Sequence, residues 1–206
     1  MRIFFSLFFF AFLACNPGGS VKKVVHQDSS KMALLPLGDV DPQRVAIIAE
    51  ELRAFYGMSI RVLPPMGYFK QAKLGNTSRY SASAILSLLK PVKPADCDRI
   101  LGITDVDIFT SKEVKDVIYP HWGIFGLGTM PGRECIVSDF RLRKFGKKTN
   151  EFMVLVALHE VGHNLGLPHC DKHPHCLMND AKGTAKTLFK EKKWLCGSCR
   201  KKLDRQ

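Results

Sequence analysis

The chain has 206 residues, of which 46% are hydrophobic and 24% are charged, and this ordinary globular composition excludes disorder over most of its length. A chain of this length fits one domain and can bury a sizeable core without disulfide bridges. The formal net charge of +12 predicts a basic face that is solvated or meets anionic lipid. Because no nucleic-acid-binding motif accompanies this charge, we expect no nucleic-acid partner.

The N-terminus resembles an export signal. A positive charge at Arg2 precedes an apolar run at residues 3–13, which is too short to span a bilayer and has the length of a signal-peptide hydrophobic region. Ala14 followed by Cys15 resembles a bacterial lipobox, which implies cleavage before Cys15 and acylation of that cysteine. A plain secretory signal with a chance cysteine is the alternative.

These features divide the chain into three predicted parts. We expect a lipoprotein-type signal peptide over residues 1–14, a flexible tether over residues 15–31, and one folded domain over residues 32–206. The mature protein is then exported to the cell envelope as a periplasmic or surface lipoprotein, and the membrane is a partner through the lipid anchor. We expect this protein to be a monomer.

Strands and helices alternate in the first half of the domain. Asp41 is suited to cap a helix and Pro42 to occupy its first position, and apolar residues then recur at helical spacing until Gly57. The predicted elements, in chain order, are a strand at Met32–Leu37, this first helix, a strand at Met58–Leu63, a loop at Gln71–Ser78, a helix at Tyr80–Leu89 and a strand at Arg99–Thr104.

Helices dominate the second half. Asn150 or Thr149 caps a strong helix with Glu151 in its first turn, where the helix dipole favours an acid. The pattern predicts an α/β (α+β) fold. The predicted elements here are an extended region at Val117–Thr129, a strand at Cys135–Phe140, and helices at Asn150–Leu165, Thr184–Trp194 and Cys199–Leu203.

A zinc-binding motif lies at the end of the strong helix. His159 and His163 are four residues apart, so both imidazoles project from one helix face toward a single metal ion. Glu160 lies beside them and can reach a water on the metal as general base, which is the HExxH arrangement. The preceding residues 152–158 are apolar on every side, which predicts a buried helix that supports the ligands rigidly.

A third ligand follows the helix. Gly166 can turn the chain sharply and Pro168 blocks any helical continuation, so His169 can return to the same metal. The full spacing HExxHxxGxxH is typical of metzincins. The alternative third ligand is a downstream glutamate, for which only Glu191 is available. We favour His169 because Glu191 lies in a Lys-rich segment that is predicted to be an exposed helix.

Four cysteines follow this motif, namely Cys170, Cys176, Cys196 and Cys199. The last two form a CxxC pair, which is the usual half-site of a zinc bound by four thiolates. Two disulfides are the alternative and would suit an exported protein. We favour a structural zinc, because a CxxC pair has poor geometry for an internal disulfide.

The remaining histidines and cysteines are assigned no site. His173 and His175 lie between Cys170 and Cys176, and we interpret them as loop residues rather than competing ligands. Cys97 and Cys135 each begin a predicted strand. If their strands are neighbours, these cysteines can form a disulfide. Two free buried thiols are the alternative.

The order of these motifs resembles the archaemetzincin family. HExxHxxGxxH is followed by Cys170, a short loop, Cys176-x-Met178, the seventeen residues Asn179 to Leu195, and CxxC. The segment from Leu101 to Asp107 is also similar to a segment that this family has on a central strand. The loop between Cys170 and Cys176 is one residue longer than in the family pattern.

The resemblance implies a metzincin-like catalytic domain over residues 32–206. Its fold would have a twisted mixed β-sheet with helices in an N-terminal subdomain, a central zinc-binding helix and a mostly helical C-terminal subdomain. Two zinc ions per chain are implied. The catalytic ion would be held by His159, His163 and His169 above Met178 of a Met-turn, and the structural ion by Cys170, Cys176, Cys196 and Cys199.

The sequence therefore predicts a zinc-dependent peptidase that cleaves peptide or protein substrates. A metal-activated water would attack the peptide carbonyl, with Glu160 as general base. The glycine-rich segment at residues 122–129 would bind an extended peptide as an edge strand. One alternative is a lipid-anchored binding module with zinc in a structural role only, and another is a basic surface protein that binds nucleic acid or anionic lipid.

Overall fold

The structure is a computed structural model that describes residues 30–180 and 185–205. The predicted signal peptide and Cys15 lie outside the described residues. None of the helices in the described ranges is both long and apolar enough to cross a membrane.

Eight strands and four α-helices make up the described domain. The strands are β1 (Lys31–Leu37), β2 (Ser59–Val62), β3 (Arg79–Ser81), β4 (Arg99–Thr104), β5 (Asp107–Val114), β6 (Val117–Ile124), β7 (Gly126–Gly128) and β8 (Glu134–Ser138). The helices are α1 (Pro42–Tyr56), α2 (Ala82–Leu89), α3 (Thr149–Asn164) and α4 (Gly197–Leu203).

Five strands form a mixed sheet in the order β2-β1-β4-β8-β7. The first four strands are parallel, and β7 completes the edge antiparallel to β8. β1 and β4 are buried along nearly their whole length, because central parallel strands pack apolar side chains on both faces. The short edge strand β7 lies against α3, the helix that carries the histidine motif.

Three further strands form a second sheet in the order β3-β5-β6. β5 and β6 make a long antiparallel hairpin, and its turn residues Lys115 and Asp116 both have positive φ. β5 was not predicted, because polar residues interrupt its apolar pattern after Phe109. The hairpin leads directly into β7, so it carries the chain to the edge of the first sheet.

Helices cover both faces of the larger sheet. α1 and α3 pack together in one hydrophobic core with side chains such as Leu34, Leu101 and Val137 of the sheet. α2 packs in a second core on the opposite face, where Leu35, Ile100 and other strand residues meet it. This layered arrangement buries α3 in the body of the domain, which is the environment that its apolar sequence predicts.

The predicted fold class is confirmed, and so are most of the elements. At the start of α1 the Asp41 carboxylate accepts a hydrogen bond from the Gln43 backbone N–H, and Gly57 ends the helix with a φ of 73°. The helix predicted from Tyr80 begins instead at Ala82, because Tyr80 pairs in β3 beside β5. The extended region predicted before Thr129 is divided into β6 and β7.

The helix predicted for Thr184–Trp194 is wrong. The described residues 185–190 form turns, and the segment continues without regular structure to Cys196. Its backbone pairs with the loop between the cysteines instead, since Lys192 N–H donates to the His175 carbonyl at 3.2 Å. Local bonds form a turn, in which the N–H groups of Lys190 and Glu191 both donate to the Thr187 carbonyl, but they do not continue as a helix. The described chain after α3 therefore contains one helix, α4, which confirms the last helix that was predicted.

Candidate active site

α3 brings the HExxH residues to the centre of the molecule. Residues 152–158 are all buried, whereas His159 is only partly buried at the point where the helix meets the surface cleft. Side chains that pack on every side fix the axis of this helix. The two histidines of the motif consequently project from a rigid support, as their sequence predicts.

The three predicted histidines come together. The ligand nitrogens of His159, His163 and His169 all lie within 4.8 Å of one another, and the Nε2 atoms of His163 and His169 are 3.3 Å apart. Two nitrogens at about 2.0–2.1 Å from one tetrahedral zinc are about 3.3–3.4 Å apart. The cluster therefore has the dimensions of a zinc site.

Backbone carbonyls orient two of these imidazoles. The Nδ1 atoms of His159 and His163 are 2.7 and 2.8 Å from the carbonyls of Leu177 and Leu167. An Nδ1–H that donates to a carbonyl leaves Nε2 free as a metal ligand. Burial lowers the pKa of both imidazoles, to about 3 for His159. Both histidines are thus held in the neutral form that binds metals.

A sharp turn after α3 brings His169 to the cluster. Gly166 has a φ of 72°, and its N–H donates to the His163 carbonyl at 2.8 Å. Leu167 N–H donates to the Gly162 carbonyl at 2.9 Å, which completes the helix end. His169 follows on the exposed side of the cleft. The backbone therefore makes the sharp turn that the sequence predicts at Gly166, and His169 lies beside the other two histidines.

Glu160 is buried beside the histidines and against β7. A Cβ at Gly126 would lie 2.8 Å from the Glu160 side chain, and a Cβ at Gly128 would lie 2.7 Å from its backbone carbonyl. Burial raises the pKa of Glu160 to about 8, and a backbone hydrogen bond from Gly128 opposes that shift. Glycine at both positions of β7 thus permits a close approach that any side chain would prevent.

Met178 lies beneath the helix end, as the family resemblance implies. It is fully buried, and a Cβ at Gly162 would lie only 2.5 Å from its sulfur and 3.1 Å from the Tyr56 hydroxyl. Tyr56 in turn donates a hydrogen bond to the Leu158 carbonyl at 2.7 Å. Tyr56 was not identified from the sequence.

The four late cysteines form a second cluster. Their sulfurs all lie within 4.8 Å of one another and are buried. The Cys170–Cys196 and Cys176–Cys199 sulfur distances are 3.7 and 3.8 Å, whereas a disulfide bond is about 2.05 Å long. Sulfurs at about 2.3 Å from one tetrahedral zinc are about 3.8 Å apart. The cluster has the dimensions of a four-thiolate zinc site.

The two clusters share one segment of chain. His169 and Cys170 are adjacent, and Cys170 N–H donates to the Met178 carbonyl at 2.7 Å. Leu177, whose carbonyl pairs with His159, donates its own N–H to the Trp194 carbonyl at 2.8 Å. The residues around the cysteines therefore fix the position of two histidine ligands.

Four further histidines and cysteines of the described chain, namely His173, His175, Cys97 and Cys135, stay outside both clusters. His173 packs its ring against Trp194, and His175 is paired with the Lys190 carbonyl, so their interpretation as loop residues agrees with the structure. Cys97 and Cys135 are free thiols that belong to the cores on opposite faces of the larger sheet. The disulfide between them is therefore absent.

Two cavities reach the histidine cluster. One of about 310 Å³ borders all three histidines, Glu160 and β7. The other, of about 230 Å³, borders His159, Glu160 and His169 and continues along the end of β6. It also borders three side chains that the sequence did not identify as site residues, namely Lys112, Asp180 and Glu191. The histidine cluster therefore borders open space that a substrate could enter.

The strand that borders the second cavity is held by an ion-pair network. Arg141 donates to both Asp107 oxygens, at 2.6 and 2.9 Å, and its guanidinium lies directly against Gly123 of β6, where a Cβ would come within 2.0 Å. Arg79 binds the same carboxylate at 2.9 Å. These contacts fix the end of β6 beside the cavity.

Comparisons with known proteins agree with this geometry. A sequence profile of peptidase family M54 matches residues 38–205. The chain is 27% identical to archaemetzincin of Haloarcula marismortui over 180 residues, which are 82% of this chain and 97% of that protein. It is 29% identical to archaemetzincin of Archaeoglobus fulgidus over 149 residues, which are 72% of this chain and 83% of that one.

Solved structures show the same fold. Archaemetzincin of Archaeoglobus fulgidus superposes with a TM-score of 0.69 at 25% identity, covering 84% of this chain and 99% of that one. A zinc-dependent peptidase of Methanocorpusculum labreanum superposes with a TM-score of 0.67 at 26% identity, with the same coverage. The fold, the histidine cluster and these matches define a zinc metallopeptidase. The chain belongs to peptidase family M54, and the relatives it matches are archaemetzincins.

Proposed function

We propose that this chain hydrolyses peptide bonds of peptide or protein substrates by the metzincin mechanism, at a catalytic zinc held by His159, His163 and His169. The observation that supports this proposal is the 3.3 Å spacing of two free Nε2 atoms beside a buried Glu160. The alternative of a binding module with structural zinc alone does not require a carboxylate to be buried at this position.

The groups around the histidines have different roles in the proposed reaction. A zinc ion held by His159, His163 and His169 would supply Lewis-acid chemistry toward a water and the substrate carbonyl. Glu160 takes the proton from the attacking water and passes it to the leaving nitrogen. Gly128 lies close to the Glu160 carboxylate, and its backbone N–H favours the charged form that accepts the proton. Residues 122–128 offer backbone groups along which an extended substrate can lie.

We further propose that the four cysteines bind a second, structural zinc. Buried sulfurs 3.7–3.8 Å apart fit that ion. Because Cys170 follows His169 directly, this ion would keep the third histidine at the catalytic cluster. Two zinc ions per chain are the expected metal content.

The test of the proposed function is cleavage of a peptide pool by the full chain, followed by mass spectrometry. A zinc chelator should abolish cleavage, and added zinc should restore it. In parallel, a His163→Ala variant should lose one zinc per chain while its cysteine cluster keeps the other. Cleavage that persists in both cases would contradict the assignment of the histidines.

We also propose that the protein is exported and anchored to the cell envelope as a monomer through acylated Cys15. The support is the order of a positive charge, an apolar run and Ala14-Cys15 in the sequence. Expression in a bacterial host should give a membrane-bound product with the mass of a lipidated Cys15. A Cys15→Ser variant should lose both properties, and an unmodified wild-type protein would refute the proposal.

A further inference from the structure

The cavity along β6 combines an apolar wall with acidic residues. Its volume of about 230 Å³ is bordered by His159, the candidate zinc ligand, and also by Glu191. The buried side chains of Val156 and Leu188 supply apolar surface on its wall. A substrate residue next to the scissile bond would place its side chain in such a cavity.

No cation within the described residues pairs with the Glu191 carboxylate. The neighbouring Lys193 is engaged with Glu51 at 2.6 Å, and Lys112, which borders the same cavity, lies over the Trp122 ring at 5.2 Å. Burial raises the pKa of Glu191 to about 7, and no charge or donor within residues 30–180 and 185–205 opposes that shift. A substrate cation close to this carboxylate would favour its charged form.

The backbone holds Glu191 in this position. Its N–H donates to the Thr187 carbonyl at 2.9 Å, and the next residue, Lys192, donates to the His175 carbonyl at 3.2 Å. The segment is therefore attached to the loop of the cysteine cluster. A carboxylate on an anchored segment loses less freedom on binding a ligand than one on a free loop.

The charge and shape of the cavity favour one class of side chain. Apart from the histidines and Glu160, its ionisable side chains are Asp180 and Glu191 against Lys112. The aliphatic stem of a lysine or arginine can lie along Val156 and Leu188 while its charged end reaches the carboxylate. An acidic side chain would meet like charge, and an apolar one would leave the carboxylate desolvated and unpaired.

We propose that this cavity receives the substrate side chain next to the scissile bond, and that Glu191 selects lysine or arginine there. The inference rests on the proposed peptidase function and adds a substrate class to it. It concerns substrate choice and assigns Glu191 no part in the chemical step.

The test uses the zinc-loaded full chain and a set of peptides that differ only at the residues flanking one bond. Each position carries lysine, arginine, methionine or glutamate, and kcat/KM is measured for every peptide. Wild type should prefer lysine or arginine over methionine about tenfold at one of the two positions. Glu191→Gln should remove most of that ratio, Glu191→Asp should keep part of it, and Glu191→Lys should favour glutamate.

Glu50→Gln is the matched control, because Glu50 is an exposed glutamate on α1, away from the cavity. It should leave both the activity and the lysine-to-methionine ratio unchanged. Ratios between peptides do not depend on how much of a variant is folded. If the wild type cleaves peptides without preferring a basic residue, or if the basic preference survives Glu191→Lys, the inference is wrong and the proposed function still stands. Failure to cleave any peptide overturns the proposed function and the inference with it.

Discussion

The two candidate metal clusters are supported by different kinds of structure. The histidines on α3 belong to a helix whose residues 152–158 are buried among side chains of two layers. The cysteines lie in the described segment after it, where turns and irregular backbone are interrupted by one seven-residue helix, α4. Packing stabilises the first region without a ligand. The second region has only turns and one short helix among its described residues, and it depends on what holds its cysteines together.

The largest effect should come from Glu160→Gln, which changes the chemistry of the rigid region and not its fold. We expect a loss of about 10³-fold in kcat/KM, because a glutamine cannot accept the proton. Zinc content should stay the same, since the three histidines are untouched. Kinetics on a cleaved peptide and metal analysis of the same sample give both values.

Glu151→Gln is the control for that variant. Glu151 is an exposed acid in the first turn of the same helix, far from the histidine motif along the chain. This change should alter kcat/KM less than twofold. If Glu160→Gln retained wild-type activity, the role given to this residue would be refuted.

Cys196→Ser should have the next largest effect and should separate the two regions. Loss of one thiolate should reduce zinc from two ions to one per chain and lower the free energy of unfolding by about 3 kcal/mol or more. Activity should fall about tenfold, because Cys170 no longer fixes His169. Metal analysis, urea unfolding and kinetics test these three outcomes separately.

Cys97→Ala provides the comparison, because Cys97 is a buried free thiol in the other core. It should cost about 1 kcal/mol through lost packing and leave the zinc content at two ions. Equal zinc loss in both variants, or none in Cys196→Ser, would contradict a four-thiolate site. Disulfides among these four cysteines in the unreduced protein would favour the alternative of two disulfide bridges in place of the structural zinc.

Gly162→Ala should weaken the contact between the two regions. The new methyl group would lie 2.5 Å from the Met178 sulfur, in fully buried surroundings. Alanine improves helix propensity by about 1 kcal/mol, but overpacking costs about 1–3 kcal/mol. We therefore expect a net loss of about 1 kcal/mol in urea unfolding, with a reduced kcat as Met178 shifts beneath the histidines.

Gly67→Ala is the neutral partner of this substitution, because a Cβ at Gly67 has open space around it. It should change the stability by less than about 0.5 kcal/mol. A Gly162→Ala protein as stable and active as this control would show that the helix end tolerates more volume than its packing suggests.

The same contrast explains what the sequence could predict. α3 and its histidines were predicted because an apolar helix, a glycine turn and four-residue spacing are local signals. The cysteine cluster could be predicted as a set, since CxxC is also local. The segment that lies beside the cysteine cluster could not be predicted. The bonds that place it there, from Lys192 to His175 and from Leu177 to Trp194, join residues far apart in the chain.

The position of Glu191 could not be predicted for the same reason. Its Lys-rich surroundings indicated an exposed helix, and the residue was considered only as a rival zinc ligand. The described ligand atoms that gather near His159 do not include it. Its segment instead forms a turn that is bonded to the cysteine loop through Lys192 and His175, and Glu191 lines the cavity. β5 was missed for a similar reason, because its pairing partners and not its own apolar pattern make it a strand.

The smallest effect should come from Tyr56→Phe, which changes only the packing beneath α3. The hydroxyl of this fully buried residue donates to the Leu158 carbonyl at 2.7 Å. The carbonyl is in the middle of a helix and keeps its helical partner, so the variant leaves no buried group unpaired. We expect a loss of about 1 kcal/mol in urea unfolding and less than a twofold change in kcat/KM. Tyr119→Phe, at an exposed position of β6, should have no measurable effect on stability. If Tyr56→Phe also lowered the zinc content, α3 would not be the metal-independent support that its burial indicates.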